Sequence, residues 1–195
     1  MGFLQDNCDI FHYTAEKLKQ GRPFLCGDED LDDFFHNDAF KYEQQLLAKS
    51  YCFRLRCDDS VIVCVFTLSN SSIDARNLPN NRKRKLTENI PHEKRISSYP
   101  AALIGRLGVS SDFHGKVIGA ELIKFVKQWM LDTSNKTACR YLTVDAYNNE
   151  RTLKFYESNG FKTVFSSDEQ EKEYIGLPQE KELKTRFMYF DLIMT

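Results

Sequence analysis

Apolar and polar residues follow two kinds of pattern along this chain, and each kind predicts a different element. Strict alternation and short continuous apolar runs predict β-strands, whereas apolar residues spaced three and four apart predict amphipathic helices. The strand pattern occurs in seven segments: 8–13, 50–56, 61–68, 101–109, 141–146, 161–165 and 186–194. The helix pattern occurs in three segments: 31–47, 119–131 and 148–158. A hairpin followed by strand–helix units predicts one mixed sheet with helices on its faces.

The first predicted helix begins after an acidic cluster, Asp28 to Asp30. Its apolar positions follow helical spacing and continue loosely toward residue 47: Leu31, Phe34, Phe35, Ala39, Tyr42, Leu46 and Leu47. Clustered carboxylates can hold a metal ion, but carboxylates at a helix start also complement the helix dipole. Because these are adjacent in sequence and open a helix, we predict a helix cap.

Residues 74–98 interrupt the apolar pattern. The segment is polar, contains Pro79 and Pro91, and carries the basic run Arg82 to Lys85. We predict a surface insertion with one short helix. The basic run is either part of a solvated loop or a contact for an anionic substrate such as RNA.

Composition limits the class of protein. A chain of 195 residues with 42% hydrophobic and 28% charged residues suits one globular domain over residues 1–195. The net charge of −1 gives no global basic field. A role in nucleic-acid binding therefore requires a local basic patch.

The cysteines and the N-terminus bear on the compartment. The six cysteines form no CxxC pair, and Cys52, Cys57 and Cys64 lie in strand-like runs. Thiols in such runs favour a reducing compartment over a disulfide framework. The first residues have no signal-peptide pattern, and no apolar run approaches the length of a membrane span. We predict a cytoplasmic protein without a membrane partner.

Residues 101–120 combine an apolar strand, a polar break at 110–113 and a helix pattern that opens at His114. A glycine-bearing turn between a strand and a helix directs several backbone N–H groups, and the positive end of the helix, toward one point. This arrangement predicts a phosphate site. The glycine pattern alone fits an ordinary strand–helix turn equally well.

A second segment makes the phosphate interpretation specific. It runs from Tyr141 to Asn149 and continues with Phe155-Tyr156 and Gly160-Phe161. Together the two segments resemble the GCN5-related N-acetyltransferase (GNAT) superfamily. Its second motif reads Asn-x-x-Ala-x-x-Phe-Tyr-x-x-x-Gly-Phe, and Thr152 stands here where alanine is usual. The resemblance implies an α/β (α+β) fold with a mixed, mostly antiparallel sheet and helices on both faces.

The phosphate turn departs from the superfamily pattern, which is usually Arg/Gln-x-x-Gly-x-Gly/Ala. His114 stands at the Arg/Gln position, Val117 at the first glycine and Gly119 at the second. The valine matters only if that position requires a positive φ or a close backbone approach. Backbone N–H groups are present with any side chain, and Lys116 adds a positive charge.

The resemblance implies acetyl-CoA as co-substrate, bound where the strand ending at Val109 separates from strand 141–146. Pantetheine would pair with the backbone of Leu107, Gly108 and Val109, where an N–H would also hold the oxyanion. Asn149 would contact the cofactor or cap its helix. Tyr156 would act as general acid on the leaving CoA thiolate. The pyrophosphate would lie on the N–H groups of the turn: His114, Gly115, Lys116, Val117, Ile118, Gly119 and Ala120.

The activity implied by the resemblance is transfer of an acyl group, expected to be acetyl, from acyl-CoA to a primary amine by direct attack in a ternary complex. The acceptor would be a small-molecule or peptide-like amine, and a homodimer is common for this fold. No general base stands out among Asp145, Glu150 and Glu157. No cysteine has a histidine placed by sequence to activate it, which disfavours covalent catalysis.

Two other functions stay open at this point. The start of the chain is similar to bacterial toxins that acetylate aminoacyl-tRNA and pair with a ribbon-helix-helix antitoxin, which implies tRNA and antitoxin partners. The matching residues are Phe24, Cys26, Gly27, Leu31, Asp32, Phe34, Phe35 and Ala39. The second alternative is a degenerate, non-catalytic module that binds acyl-CoA or a protein, which His114 and Val117 motivate.

Overall fold

The computed structural model describes residues 2–14, 21–76, 78–88, 90–91 and 96–193. The chain divides into two compact units. The first comprises Met1–Asn70 and Leu103–Trp129, and the second comprises Ser71–Ala102 and Met130–Thr195. A single domain over the whole chain stays a prediction.

The described elements follow in this chain order: α1 (Phe3–Asn7), β1 (Cys8–His12), α2 (Glu29–Asp33), a π-helical turn (Phe34–Asp38), α3 (Ala39–Gln44), β2 (Lys49–Leu55), β3 (Ile62–Asp74), α4 (Asn80–Thr87), β4 (Ser98–Val109), a 3₁₀ turn (Ser111–Phe113), α5 (Ile118–Met130), β5 (Tyr141–Tyr147), α6 (Glu150–Ser158), β6 (Lys162–Thr163), α7 (Asp168–Ile175) and β7 (Thr185–Asp191). All seven predicted strands are present, so the α/β class with a mixed sheet is confirmed.

In the first unit the strands are hydrogen bonded in the order β1-β2-β3-β4. The pairs β1–β2 and β2–β3 are antiparallel, which confirms the predicted hairpin. The core of this unit is aromatic and centres on Phe35, which is fully buried and contacts the rings of Tyr13 and Phe24 edge to face. The residues similar to the toxins at the start of the chain therefore include core residues, as their apolar character suggests.

The acidic cluster before the first helix is a cap. The Asp28 carboxylate accepts a hydrogen bond from the Leu31 N–H at 3.1 Å, which confirms the predicted role. The predicted continuation of the apolar face is wrong, because Leu46 and Leu47 are 89% and 57% exposed. The π-helical turn inserts an extra residue into the helical repeat, and α3 ends at Gln44 before the pattern can continue.

In the second unit the strand order is β4-β5-β7-β6. The strands β5 and β7 pair antiparallel over seven positions, from Tyr141 opposite Asp191 to Tyr147 opposite Thr185. The strand predicted at 161–165 is shorter than expected, since only Lys162 and Thr163 pair with β7. Residues 166–182 were expected to form a loop, but they contain α7, which Ser167 caps and Gly176 ends at a φ of +70°.

The polar segment at 74–98 is only partly a surface excursion. Its predicted short helix is α4, and the buried side chains of Leu78, Leu86 and Thr87 tie the segment to the core of the second unit. The Tyr141 hydroxyl also donates a hydrogen bond to the carbonyl of Leu86. Residues 77, 89 and 92–95 of this segment lie outside the described residues. No helix of the described chain is long and apolar enough to cross a membrane.

Candidate functional site

The turn predicted to bind phosphate lies in the first unit, between the end of β4 and the start of α5. Two backbone hydrogen bonds hold its first residues in place. The Ser110 N–H donates to the Val63 carbonyl and the Ser111 N–H to the Leu25 carbonyl, both at 2.9 Å. The turn is therefore braced by β3 on one side and by the loop around Leu25 on the other.

Glycine is required at one position of this turn, and that position is not residue 117. Gly115 has a φ of +75°, a conformation that side chains rarely adopt, although a Cβ there would meet no atom within 4 Å. Among the described residues Leu46 is the one non-glycine with a positive φ, so Val117 has an ordinary backbone. The Val117 side chain is 69% exposed. Valine therefore introduces no backbone strain where the superfamily pattern has glycine.

His114 and Lys116 have different roles in the turn. The His114 Nε2–H donates to the carbonyl of Val109 at 3.0 Å, which links the turn back to the end of β4. The ammonium of Lys116 lies 4.8 Å from the Phe113 ring centroid and 5.3 Å from that of Phe3. Lys116 has no carboxylate partner within the described residues, so its charge is available to an anion.

The N-terminal end of α5 supplies the positive end of a 13-residue helix to the same turn. Ile118 is fully buried and anchors this end of the helix. Glu121 lies in the first helical turn, and its carboxylate accepts a hydrogen bond from the Leu4 N–H at 2.8 Å. This contact provides a partner for the one negative charge in the first turn of α5.

The end of β4 is packed closely by the loop that precedes α2. A Cβ at Gly108 would lie 3.1 Å from the Phe24 ring and 3.3 Å from the Cβ of Cys26, so a larger residue would displace this loop. Further back on β4, the Arg106 N–H donates to the Thr67 hydroxyl at 2.9 Å. The structure thus brings Leu107, Gly108 and Val109 together with the turn in the first unit.

The second predicted segment lies in the second unit. The Asn149 side chain accepts a hydrogen bond from the Thr152 N–H at 2.9 Å and caps α6. Gly160 has a φ of +81° just beyond the helix, as predicted for a left-handed C-terminal residue. The capping function of Asn149 is confirmed, and its contact with a cofactor stays a prediction.

Tyr156 lies on α6 between two other aromatic rings. Its ring centroid is 5.1 Å from that of Phe155 and 5.4 Å from that of Phe161. Burial raises the pKa of its phenol to about 12. The hydroxyl is therefore protonated at neutral pH, which is the state that a general acid requires.

Two of the cysteines and one candidate general base are poorly suited to catalysis. Burial raises the pKa of the Cys26 thiol to about 12 and that of Cys8 to about 11, so neither is a thiolate at neutral pH. Glu150 is exposed and pairs with Lys154 at 2.6 Å on the surface of α6. Sequence reasoning missed the buried carboxylate of Glu171, because nothing in a charged segment marks one residue as buried.

Comparison with known proteins agrees with this geometry. Residues 86–161, which contain both the turn and the Asn149–Phe161 segment, match the acetyltransferase (GNAT) family. The whole chain is similar in structure to a Tyr-to-Phe mutant of KacT, with a TM-score of 0.71, 18% identity and 97% of each chain covered.

Two further solved structures are similar over nearly the whole chain. AtaT complexed with acetyl-methionyl-tRNAfMet has a TM-score of 0.68 and 20% identity, with 97% of this chain and 100% of that chain covered. A Tyr-to-Phe mutant of the AtaT toxin, bound to the C-terminus of the antitoxin AtaR and acetyl-CoA, has a TM-score of 0.65 and 18% identity, with 97% and 96% covered. These likenesses extend the shared fold beyond the residues of the family match.

Proposed function

We propose that this chain is a GNAT-type N-acetyltransferase that uses acetyl-CoA to acetylate the α-amino group of an aminoacyl-tRNA. The observation that carries this proposal is the coverage of the fold. The likeness to AtaT bound to acetyl-methionyl-tRNA extends over 97% of this chain, including the N-terminal elements that the family match leaves out. A small-molecule or peptide-like amine is the competing acceptor.

The turn supports binding of the CoA pyrophosphate. Gly115 adopts a left-handed backbone conformation in the turn, Lys116 has no described carboxylate partner, and α5 points its positive end at the turn. The ordinary backbone of Val117 weakens one of the two reasons for the degenerate alternative, the other being His114. We assign His114, through its hydrogen bond to Val109, to holding the turn in shape rather than to catalysis.

Tyr156 supports the chemical step. The amine nitrogen forms a bond to the thioester carbonyl carbon, the C–S bond breaks, and the leaving thiolate takes a proton while the amine releases one to solvent. The protonated phenol of Tyr156 supplies the proton to the thiolate and regains one from solvent. An α-amino group with a pKa near 8 is partly unprotonated at neutral pH, so the reaction needs no strong general base.

The test compares acceptors and a single variant. The purified protein is incubated with acetyl-CoA and either aminoacyl-tRNA, deacylated tRNA or a panel of small primary amines, and CoA release is followed. We expect turnover with aminoacyl-tRNA and a loss of about a hundredfold in kcat for Tyr156→Phe. Equal rates for parent and variant would remove Tyr156 from the mechanism. Turnover of small amines alone would overturn the tRNA assignment and leave the acetyltransferase activity intact.

We further propose a toxin–antitoxin context, with a ribbon-helix-helix antitoxin as partner. Support comes from the likeness to an AtaT toxin bound to the C-terminus of its antitoxin. Expression of the parent chain should arrest bacterial growth, and Tyr156→Phe should relieve the arrest at equal protein level. Undiminished growth with an active parent enzyme would contradict the toxin context.

A further inference from the structure

A pocket of about 800 Å³ opens in the second unit between α4, the end of α6 and the β6–β7 pair. None of its lining residues is among the residues assigned above to the phosphate turn, all of which belong to the first unit. Six of its lining residues have basic or aromatic side chains: Arg82, Lys85, Phe161, Lys162, Tyr189 and Phe190. The pocket therefore combines cations with aromatic rings.

The helical repeat of α4 places two residues of the basic run on the face that lines the pocket. Arg82 and Lys85 are three residues apart, so they lie on the same face of the helix, and both line the pocket. Lys83 and Arg84 lie on other faces and do not line it. The buried side chain of Leu86, whose carbonyl accepts a hydrogen bond from Tyr141, holds the helix in this orientation.

The charges around the pocket favour an anion. Asp191 lines it, but its carboxylate is paired with Arg140 at 2.7 Å and both side chains are largely buried. The other acidic lining residues are Glu88 and Glu157. The basic lining residues are Arg82, Lys85 and Lys162, and none of them forms an ion pair within the described chain. Lys83 and Arg84 add positive charge nearby.

The aromatic residues give the pocket surfaces on which a base can stack. The rings of Phe161 and Phe190 contact each other at 5.7 Å, and Tyr189 and Phe190 are both partly exposed. Aromatic rings beside Arg and Lys bind unstacked bases and the adjacent phosphates of RNA. Phe161 also packs against Tyr156, so the pocket adjoins the residue assigned as general acid.

We propose that this pocket is an RNA-binding subsite, in which Arg82, Lys85 and Lys162 hold backbone phosphates and the partly exposed rings of Tyr189 and Phe190 hold a base of the acceptor RNA. The inference rests on the proposed function, because an RNA acceptor is what brings RNA to this enzyme. An acidic protein segment is the competing ligand for a basic pocket. The aromatic surface beside the cations favours RNA, since an acidic peptide needs no stacking platform.

The test measures binding without catalysis. Fluorescently labelled deacylated tRNA is titrated by anisotropy with the parent, the double variant Arg82→Ala/Lys85→Ala and the matched control Lys83→Ala/Arg84→Ala, which removes the same charge from the same helix. We expect the pocket variant to weaken binding about tenfold or more at low salt and to flatten the salt dependence of log Kd by one to two units of slope, roughly 0.7–0.9 per phosphate contact. The control variant should weaken binding less than threefold.

A third variant, Lys162→Ala, removes a cation that lies outside α4 and should also weaken binding, so the result does not depend on the folding of one helix. Equal losses for the pocket and control variants would overturn the subsite in favour of a diffuse basic field. Displacement of the tRNA by polyglutamate at equal charge concentration would overturn it in favour of an acidic protein ligand. If the pocket variant loses tRNA binding but the parent acetylates only small amines, the subsite stands and the proposed acceptor fails.

Discussion

The backbone at Gly115 and Val117 explains how this chain keeps an unstrained turn although its sequence departs from the usual pattern. The requirement for a positive φ falls on Gly115, and Val117 has an ordinary backbone and an exposed side chain. Sequence alone could show which residue differs from the pattern. It could not show which position of the turn carries the unusual conformation, because that depends on how β4 and α5 are joined.

The turn yields a prediction about acetyl-CoA affinity. Gly115→Ala forces a side chain into the left-handed region at a cost of about 1–2 kcal/mol, and we expect it to lower the melting temperature and raise the KM for acetyl-CoA several-fold. Val117→Gly, the matched change toward the superfamily pattern, should alter that KM less than Gly115→Ala does. A tenfold gain in affinity from Val117→Gly would show that the valine obstructs the cofactor.

Tyr156 yields a prediction about pH. A general acid acts in its protonated form, which persists below its pKa, and the pKa of this phenol is about 12. With an α-amino acceptor, kcat/KM should rise through about pH 8 as the amine loses its proton, and then remain level to about pH 10. Tyr156→Phe should lower the plateau value of kcat/KM without changing the pH at which kcat/KM rises. A fall in kcat/KM between about pH 9 and 10 in the parent alone would contradict the assignment.

Among the helices and strands, α7 is the element that the pattern of apolar residues did not predict. The helix is built mostly from charged residues, and the residue it buries most deeply is Glu171, which is 3% exposed. The Glu171 carboxylate accepts hydrogen bonds from the Arg186 Nε–H at 2.7 Å and from the Phe187 N–H. A helix attached to its strand through an ion pair has no apolar periodicity for a sequence to reveal.

That ion pair yields a prediction about stability. Glu171→Ala removes one of the two ion-pair partners of the buried Arg186, which keeps Asp168, and leaves the Phe187 N–H without its acceptor. We therefore expect the free energy of unfolding to fall by about 1–3 kcal/mol in a denaturant titration. The matched control is Glu173→Ala on the same helix, which is exposed and should change stability by less than about 0.5 kcal/mol. A loss for Glu171→Ala as small as that for Glu173→Ala would show that the ion pair contributes little to stability.

The predicted strands and hairpin were recoverable because their signals are local. Alternation and apolar runs of a few residues depend only on which faces of a strand are covered, and all seven strands appear in the structure. The loose continuation of the first helix failed for the opposite reason. The π-helical turn at Phe34–Asp38 changes the repeat, and no local pattern announces it.

For the whole molecule, the sequence predicted the fold and the co-substrate more fully than it predicted the acceptor. Motif spacing indicated the GNAT fold and the use of acetyl-CoA, because the turn and the tyrosine helix each require particular residues at particular distances. The identity of the acceptor depends instead on which side chains come together on the surface of the folded protein. The basic residues of α4 looked like one run in the sequence, and only the helix shows that Arg82 and Lys85 share a pocket with aromatic rings.

The acetyl acceptor that we propose for this enzyme is the amino group of an aminoacyl-tRNA. The most direct measurement is mass spectrometry of the aminoacyl-adenosine released by nuclease digestion after the purified parent enzyme has acted on charged tRNA with acetyl-CoA. We predict an aminoacyl-adenosine heavier by one acetyl group, absent without acetyl-CoA and much reduced for Tyr156→Phe. An unmodified aminoacyl-adenosine, from an enzyme preparation that acetylates small amines, would contradict the claim.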